Sequence, residues 1–295
     1  MGDQGPLAEY LQACRARVRP EDVGLPTYGE RRRVPGLRRE EVASLAGVSA
    51  SYYVRLEQGQ SGNASDAVID SIARALQLGH DEHEHLRVLA RPARHRAAKR
   101  PPAERVDAVT AQLLAGLGDV PAILLGRRTD VLAWNRLGHA FFAGHLDFGA
   151  PARPAGRPNM ARLVFLDAHT RDLYPQWTDK ARAVVGNLRL TAGRHPDDRL
   201  LSTVIGELVT GSTEFAALWA DHRVLACAAT EYPMRHPLVG ELTVHQQTLT
   251  PAHAPEQTLV VVTAEPGSSS QAALTLLNAA TAAPAGQPRP APAVS

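Results

Sequence analysis

Arginine is the residue whose type and spacing point most clearly to chemistry in this sequence. Eight arginines lie between Arg15 and Arg39 against three acidic residues, a local charge of +5. A second run, Arg87 to Arg105, holds six arginines and Lys99 against one glutamate. The guanidinium group is planar and permanently charged, which suits it to phosphate. Because the whole chain carries only +2, we expect nucleic-acid contact at local patches. A solvated arginine-rich surface remains the alternative for either run alone.

Residues suited to catalysis or metal binding form no recognisable motif. The two cysteines, Cys14 and Cys227, are far apart in the sequence, which fits neither a disulfide framework nor a metal site. His80, His83 and His85 alternate with acidic residues, but acids there are typical of a helix start. Nucleophile-elbow, phosphate-loop and zinc-protease motifs are missing from the sequence. We therefore expect no enzyme, no metal and no cofactor other than a possible small effector.

A twenty-residue stretch, REEVASLAGVSASYYVRLEQ at 39–58, has the spacing of two short helices packed across a tight turn. Small Ala43 suits a close helix crossing, Gly47 suits a turn that needs positive φ, and Ser49 is placed to cap the second helix. These requirements in register predict a helix-turn-helix. An αα-corner in an unrelated helical domain is the alternative. The apolar sites that pack the two helices are Val42, Ala46, Val48, Tyr53 and Leu56.

The elements around this motif predict a helical N-terminal domain at 1–90. Apolar spacing predicts a first helix near 7–14 and, after a Pro/Gly loop at 20–36, helices at 38–47, 49–58 and 66–78, the last capped by Asp66. A fifth helix begins near Asp81.

The rest of the chain predicts a second, mixed domain. A basic, proline-containing linker is expected at 91–104, a domain at 105–281 and a disordered tail at 282–295. Within the second domain, strands are predicted at 121–125, 131–134, 239–249 and 258–264, and helices near 106–117, from Asn135, through 159–222 and at 269–280. The predicted fold class is mainly α with a smaller α+β part.

Both halves resemble known families. The stretch GLRREEVASLAGVSASYYVRLEQG resembles the Cro/cI-type (XRE-family) DNA-binding domain, a five-helix lambda-repressor-like bundle, and its context is similar to an actinobacterial branch of that family. The segments LYPQW, AGRHPDD, RHPLVGEL and TAEPGS resemble the MmyB-like ligand-binding domain, which has a PAS-like fold. Together the two resemblances cover roughly 5–281. QSGNAS at 60–65 and ATEYPM at 229–234 depart from the family patterns.

The first resemblance implies that the second helix of the motif enters the major groove of DNA. Arg39 and Arg55 are then candidates to bind guanine, and Ala50 and Val54 to touch a thymine methyl. Phosphate contact without base reading is the alternative for each arginine. Arg31, Arg32 and Arg33 are better explained as phosphate contacts or as a groove-reaching loop than as base readers. The full candidate set for DNA contact is Arg31, Arg32, Arg33, Arg38, Arg39, Ser49, Ala50, Ser51, Tyr52, Val54 and Arg55.

The second domain is rich in large apolar side chains, which could line a ligand cavity or fill a plain core. The resemblance implies a cavity for a small apolar effector, such as a fatty acid or a polyketide-like metabolite. The candidate lining residues are Leu124, Trp134, Phe141, Phe142, Phe165, Trp177, Phe215, Trp219, Val244 and Val261.

These features favour a sequence-specific transcription regulator controlled by that effector. We expect it to bind an operator, an inverted repeat, as a homodimer. The start lacks a signal peptide and no apolar run is long enough to span a membrane, so a cytoplasmic, nucleoid-associated protein with no membrane partner is expected. Two alternatives stay open: a constitutive repressor whose second domain only dimerises, and an enzyme or lipid-handling domain tethered to a DNA-binding module.

Overall fold

The computed structural model of the chain describes residues 5–25, 36–60, 64–90, 104–222 and 230–282. The chain folds into two compact units, one formed by residues 1–103 and 178–227 and the other by 104–177 and 228–295. Contacts therefore group residues 178–227 with the N-terminal helices, which differs from the linear division expected from the sequence. The expected linker at 91–104 and tail at 282–295 lie almost entirely outside the described residues.

The first unit begins with five helices around one apolar core. They are α1 (Pro6–Arg17), α2 (Arg39–Leu45), α3 (Ala50–Glu57), α4 (Asp66–Ala75) and α5 (His80–Ala90), with a short 3-10 helix at Pro20–Val23. Tyr10, Leu11, Tyr53, Leu56 and Ile72 are buried there. Helix α4 is capped by Ser65, whose Oγ accepts a hydrogen bond from the Val68 backbone N–H. The prediction of Asp66 as the cap is wrong by one residue, because Asp66 is already helical.

Three further helices belong to the same unit: α10 (Trp177–Arg194) from its second residue onward, α11 (Arg199–Gly211) and α12 (Thr213–Ala220). Leu190 of α10 packs against the core of the N-terminal helices. The imidazole of His85 on α5 lies so close to Gly193 that a Cβ there would be 2.7 Å from its Cε1 atom. The DNA-binding resemblance covers α1 to α5 only, so these helices enlarge the unit beyond it.

The second unit is built on a five-stranded antiparallel sheet. Its strands are β1 (Ala122–Leu125), β2 (Val131–Trp134), β3 (Thr230–His236), β4 (Gly240–Leu249) and β5 (Thr258–Thr263), in the order β2-β1-β5-β4-β3. Its helices are α6 (Ala108–Gly116), α7 (Arg136–Ala143), α8 (Met160–Leu166), α9 (Ala168–Asp172) and α13 (Ser269–Thr281), with short 3-10 helices at Ala150–Ala152 and Pro154–Gly156. The prediction of a mainly α protein with a smaller α+β part is confirmed.

Strand β3 is the element that the sequence did not predict. Its proline, Pro233, lies opposite Thr243 of β4, and proline is normally a signal against a strand because it cannot donate a hydrogen bond. Strand β3 stands at the edge of the sheet and pairs with β4 alone. An edge strand tolerates proline because one side of it needs no ladder partner.

Helix α7 lies unusually close to the sheet. A Cβ at Gly138 would come within 2.2 Å of the Ala122 carbonyl oxygen, so only glycine fits there. Asn135 caps this helix: its Oδ1 accepts from the backbone N–H groups of Gly138 and Ala122. Its Nδ2 donates to the carbonyls of Leu117 and Val120. One buried amide thus fixes the start of α7 against β1, and α7 and the two residues after it carry part of the lining of a cavity described below.

Candidate nucleic-acid interface and ligand cavity

The turn between α2 and α3 has the geometry that the sequence predicted. Gly47 takes φ +68°, a left-handed conformation that glycine adopts without steric cost. The Val48 N–H donates to the Ala43 carbonyl across the turn at 3.0 Å. Ser49 then caps α3, since its Oγ accepts from the Tyr52 N–H at 3.2 Å. Ala43 is buried where the two helices meet.

Helix α3 divides its side chains between core and solvent. Tyr53, Leu56 and Glu57 are buried. The side chains singled out for DNA contact lie on the other side: Ser49, Ala50, Ser51 and Arg55 are exposed, and Tyr52 and Val54 are half-buried. Both hydroxyls at its start lie together, with the Oγ atoms of Ser49 and Ser51 3.2 Å apart. One face of α3 therefore presents a polar and cationic surface, on an element of the kind that the major groove of DNA admits.

A buried ionic group joins α1, α2 and α3 behind this face. The carboxylate of Glu57 is fully buried and binds the Arg15 guanidinium through two hydrogen bonds, of 2.9 and 3.2 Å. Arg15 also donates to the Leu37 carbonyl at 2.7 Å. Burial works to lower the pKa of Arg15, but the hydrogen bonds and negative charge of Glu57 outweigh it, so the pKa is raised. The sequence analysis did not single out Arg15 or Glu57 as a pair. The available signal was a glutamate directly after Leu56, a residue predicted to be buried.

Arg39, predicted as a base reader, is drawn into the same ionic group. Its Nε lies 3.2 Å from Glu57 Oε1, although almost half of the side chain stays exposed. Arg38 is half-buried; its backbone N–H donates to the Glu41 carboxylate, and its guanidinium lies 3.7 Å from Glu40. Arg31, Arg32 and Arg33 lie outside the described residues. Within the described part of the set, Arg55 is the exposed arginine on α3 itself.

The ten apolar residues proposed to line a ligand cavity do not come together. Leu124 and Val261 belong to a core cluster on one face of the sheet, whereas Phe215 and Trp219 lie in the first unit, stacked at 5.7 Å. The others are spread over the second unit: Val244 is buried on β4, the Trp134 indole donates to the Phe148 carbonyl, Phe141 packs edge-on against Phe142, and Phe165 packs edge-on against Trp177.

The second unit does contain a cavity, of about 360 Å³, within the range typical of small-molecule sites. Its lining contains none of those ten residues. Four of its ten lining residues are histidines, and we call it the imidazole cavity. The lining residues are Arg136, His139, Ala140, Gly144, His145, His169, His236, Pro237, Leu238 and Thr281. The lining comes from four stretches of sequence, at 136–145, 169, 236–238 and 281, so the proximity of the four histidines follows from the fold and not from their spacing.

Two of these histidines are fixed by backbone partners. His236 is buried; its Nε2 donates to the Ala140 carbonyl and its Nδ1 accepts from the Leu238 N–H. Both nitrogens are thereby used by the neutral ring, and burial lowers the pKa of His236. His139 holds the Leu146 carbonyl at 2.8 Å through Nε2, so its Nδ1 is left as an acceptor when the ring is neutral.

The other two histidines lie side by side. The ring centroids of His145 and His169 are 4.1 Å apart, and His145 Nε2 lies 3.4 Å from the Asp167 carboxylate. Burial lowers the pKa of His145, and this outweighs the opposing effect of Asp167. Among the described residues, no cluster of histidine, cysteine and acidic side chains is arranged to hold a metal ion.

The comparisons with known proteins divide the chain in two. Residues 6–86 match a helix-turn-helix domain family, and residues 106–277 match the MmyB-like transcription regulator ligand binding domain. No curated protein matches the chain significantly. Over the part of the chain that the structure describes, no helix is both long and apolar enough to cross a membrane.

Proposed function

We propose that this chain, which belongs to the family of the MmyB-like transcription regulator ligand binding domain, binds a specific operator through α3 and is controlled by a small molecule. Its two matched segments are those of a DNA-binding transcription regulator. They also support our proposal that a DNA-binding domain at 1–90 is followed by a linker and a ligand-binding domain at 105–281, because one match ends at 86 and the other begins at 106. The observation that carries the operator contact is the exposed polar face of α3 behind a correctly capped turn.

In this proposal, Arg55 binds the edge of a base, and the start of α3 binds the phosphate backbone of the DNA. Arg55 has the reach to bind the O6 and N7 atoms of guanine, and Ala50 and Val54 offer apolar contact to a thymine methyl. The N–H groups and hydroxyls at Ser49 and Ser51 suit a phosphate. The Glu57 contact leads us to give Arg39 a supporting role beside phosphate, in place of the guanine contact expected from the sequence.

The direct test is binding of the full chain to the DNA upstream of its own gene, followed by fluorescence anisotropy over a series of salt concentrations. The logarithm of affinity should fall with the logarithm of salt, with a slope of about −0.9 for each phosphate neutralised. Arg55→Ala should weaken binding by about 1–3 kcal/mol. The matched control is Arg235→Ala, an exposed arginine on β3. Equal losses in the two variants, or binding insensitive to salt, would contradict the proposal.

We further propose that two copies bind an inverted repeat. One α3 offers few base contacts, and two-fold symmetry doubles them, with half-sites about 10 bp apart or a multiple of that. Footprinting should show two protected half-sites of equal affinity. Full-affinity protection of a single half-site would rule out this arrangement.

Ligand control is favoured over a second domain that only dimerises, because the second unit has a cavity of ligand size. A ligand switches DNA binding only if it binds one conformational state more tightly than the other. Operator DNA must then change ligand affinity by the same factor as the ligand changes operator affinity.

A further inference from the structure

We infer that the effector is a compact aromatic carboxylic acid, bound in the imidazole cavity with its carboxylate toward Arg136 and its ring between the histidines. This inference rests on the proposed ligand control and replaces the apolar effector expected from the sequence. It is carried by three features of the cavity: a cation held by neutral partners, walls made of flat rings, and a small apolar rim.

The cation is Arg136 at the start of α7. Its guanidinium donates to the Asn278 carbonyl at 2.9 Å, to Thr281 Oγ1 at 2.7 Å and to Asn278 Oδ1. These acceptors are neutral, and no carboxylate among the described residues forms an ion pair with this guanidinium. Asp119 reaches it only through Asn278, whose Nδ2 donates to that exposed carboxylate. Three of the five guanidinium N–H groups are used in these bonds, and the remaining two can bind one carboxylate.

The anchoring of Arg136 makes it a prepared site. Asn278 and Thr281 lie on the last turn of α13, whose carbonyl end attracts positive charge. The side chain is thus held in place before a ligand arrives, and a held side chain loses less conformational entropy on binding.

The walls favour a flat ring. The His145 and His169 rings lie against each other at 4.1 Å. His139 packs edge-on against Phe148 at 5.3 Å between ring centroids, and His236 stacks on Phe141 at 6.0 Å. A planar ligand can stack on such rings, whereas a methylene chain has no ring face to present to them.

The rim accounts for the non-polar part of the ligand. Leu238, Pro237 and Ala140 line the cavity beside the histidines, and Leu238 is 65% exposed at the β3–β4 turn. A ligand with a charged end and a ring would cover this leucine while its carboxylate lies toward Arg136.

The experiment is isothermal titration of the full chain with benzoate, salicylate and indole-3-acetate, each paired with its neutral amide and compared with decanoate. At least one acid should bind, at least tenfold more tightly than its amide and more tightly than decanoate. Arg136→Gln keeps a donor for Asn278 but removes the charge, so it should abolish the preference for acid over amide. Arg182→Gln, an exposed arginine on α10, is the matched control and should change neither affinity.

A second variant, His169→Phe, keeps a ring in the wall without its nitrogens and guards against an Arg136 variant that fails to fold. This variant should still bind the aromatic acids, and should bind them more tightly than decanoate. Tighter binding of decanoate, equal binding of acid and amide, or no binding by any acid would overturn the inference. Operator affinity is measured on the same samples: its loss would contradict the proposed function, whereas normal operator binding without acid preference would contradict this inference alone.

Discussion

Glu57 is the single residue on which the DNA-binding helices depend most. Its buried carboxylate binds Arg15 on α1 and lies beside Arg39 on α2, so one side chain ties three helices. Removing one partner of a buried ion pair leaves uncompensated charge, which costs more than the pair contributes.

We expect Glu57→Gln to lower the free energy of unfolding by about 3–5 kcal/mol, measured by urea titration of the full chain. Glu40→Gln changes an exposed glutamate on α2 and is the control; it should have little effect. Equal destabilisation by the two variants would show that the ionic group has no special role.

The buried imidazole of His85 leads us to expect that the first unit loses stability as the pH falls. Burial lowers the pKa of His85 from 6.5 to about 4, helped by the charges of Arg189 and Arg194 and by His222. Its Nδ1 has no hydrogen-bond partner among the described residues, and its ring packs edge-on against Tyr10. The unfolded chain therefore binds this proton more readily than the folded chain does, so stability present above pH 6.5 is lost as the pH falls toward 4.

The measurement is the thermal midpoint of the full chain between pH 7.5 and 4. His85→Phe should flatten part of the decline, and His80→Gln, at the exposed start of the same helix, should leave it unchanged. A midpoint that rises on acidification, or declines identically in His85→Phe, would contradict this account.

At the scale of helices and strands, regular patterns were predictable and exceptions to them were not. The apolar runs at β1, β2 and β5 and the alternation of β4 predicted those strands to within a residue or two. The turn at Gly47 and the cap at Ser49 followed from local chemistry alone. Strand β3 was missed because Pro233 argues against a strand until the sheet order shows that it lies at an edge.

The contact between α5 and α10 gives a prediction at this scale. Gly193→Ala would place a Cβ within 2.7 Å of His85 and 3.4 Å of Leu89. Overpacking typically costs about 1–3 kcal/mol, which should exceed the gain of up to about 1 kcal/mol in helix propensity. We expect net destabilisation and faster amide exchange in α5.

Gly206→Ala is the matched control, because a Cβ there meets no atom within 4 Å on α11. It should stabilise the chain by up to about 1 kcal/mol. If both variants changed stability in the same direction, the close packing of His85 on Gly193 would not be the reason.

At the scale of the molecule, the sequence predicted that a helical half precedes a mixed half. It did not predict which segments pack together in each compact unit. Sequence patterns indicated a helical half followed by a mixed half, and the two family matches cover 6–86 and 106–277. Residues 178–222 lie within the second family match but pack in one unit with α1 to α5. That packing depends on long-range partners such as Leu190 and Gly193, which no local pattern reveals.

The same reason explains the two candidate sites. The exposed face of α3 that we propose for DNA contact was predictable, because it lies within one short motif whose spacing fixes which side chains face outward. The cavity was not, because Arg136, His169 and His236 come from separate stretches and meet only after folding. The large apolar residues expected to line it are mostly buried in the core.

The central claim is that α3 selects the operator, and a selection of bound sequences from a randomised DNA library tests it most directly. The wild-type chain should enrich an inverted repeat. Arg55→Ala should relax the preference at one base position in each half-site, with a cost of about 1–3 kcal/mol there. Arg39→Ala should weaken binding to all sequences alike, because its Nε lies against Glu57. An unchanged preference in Arg55→Ala, or no enriched sequence with the wild-type chain, would contradict the account.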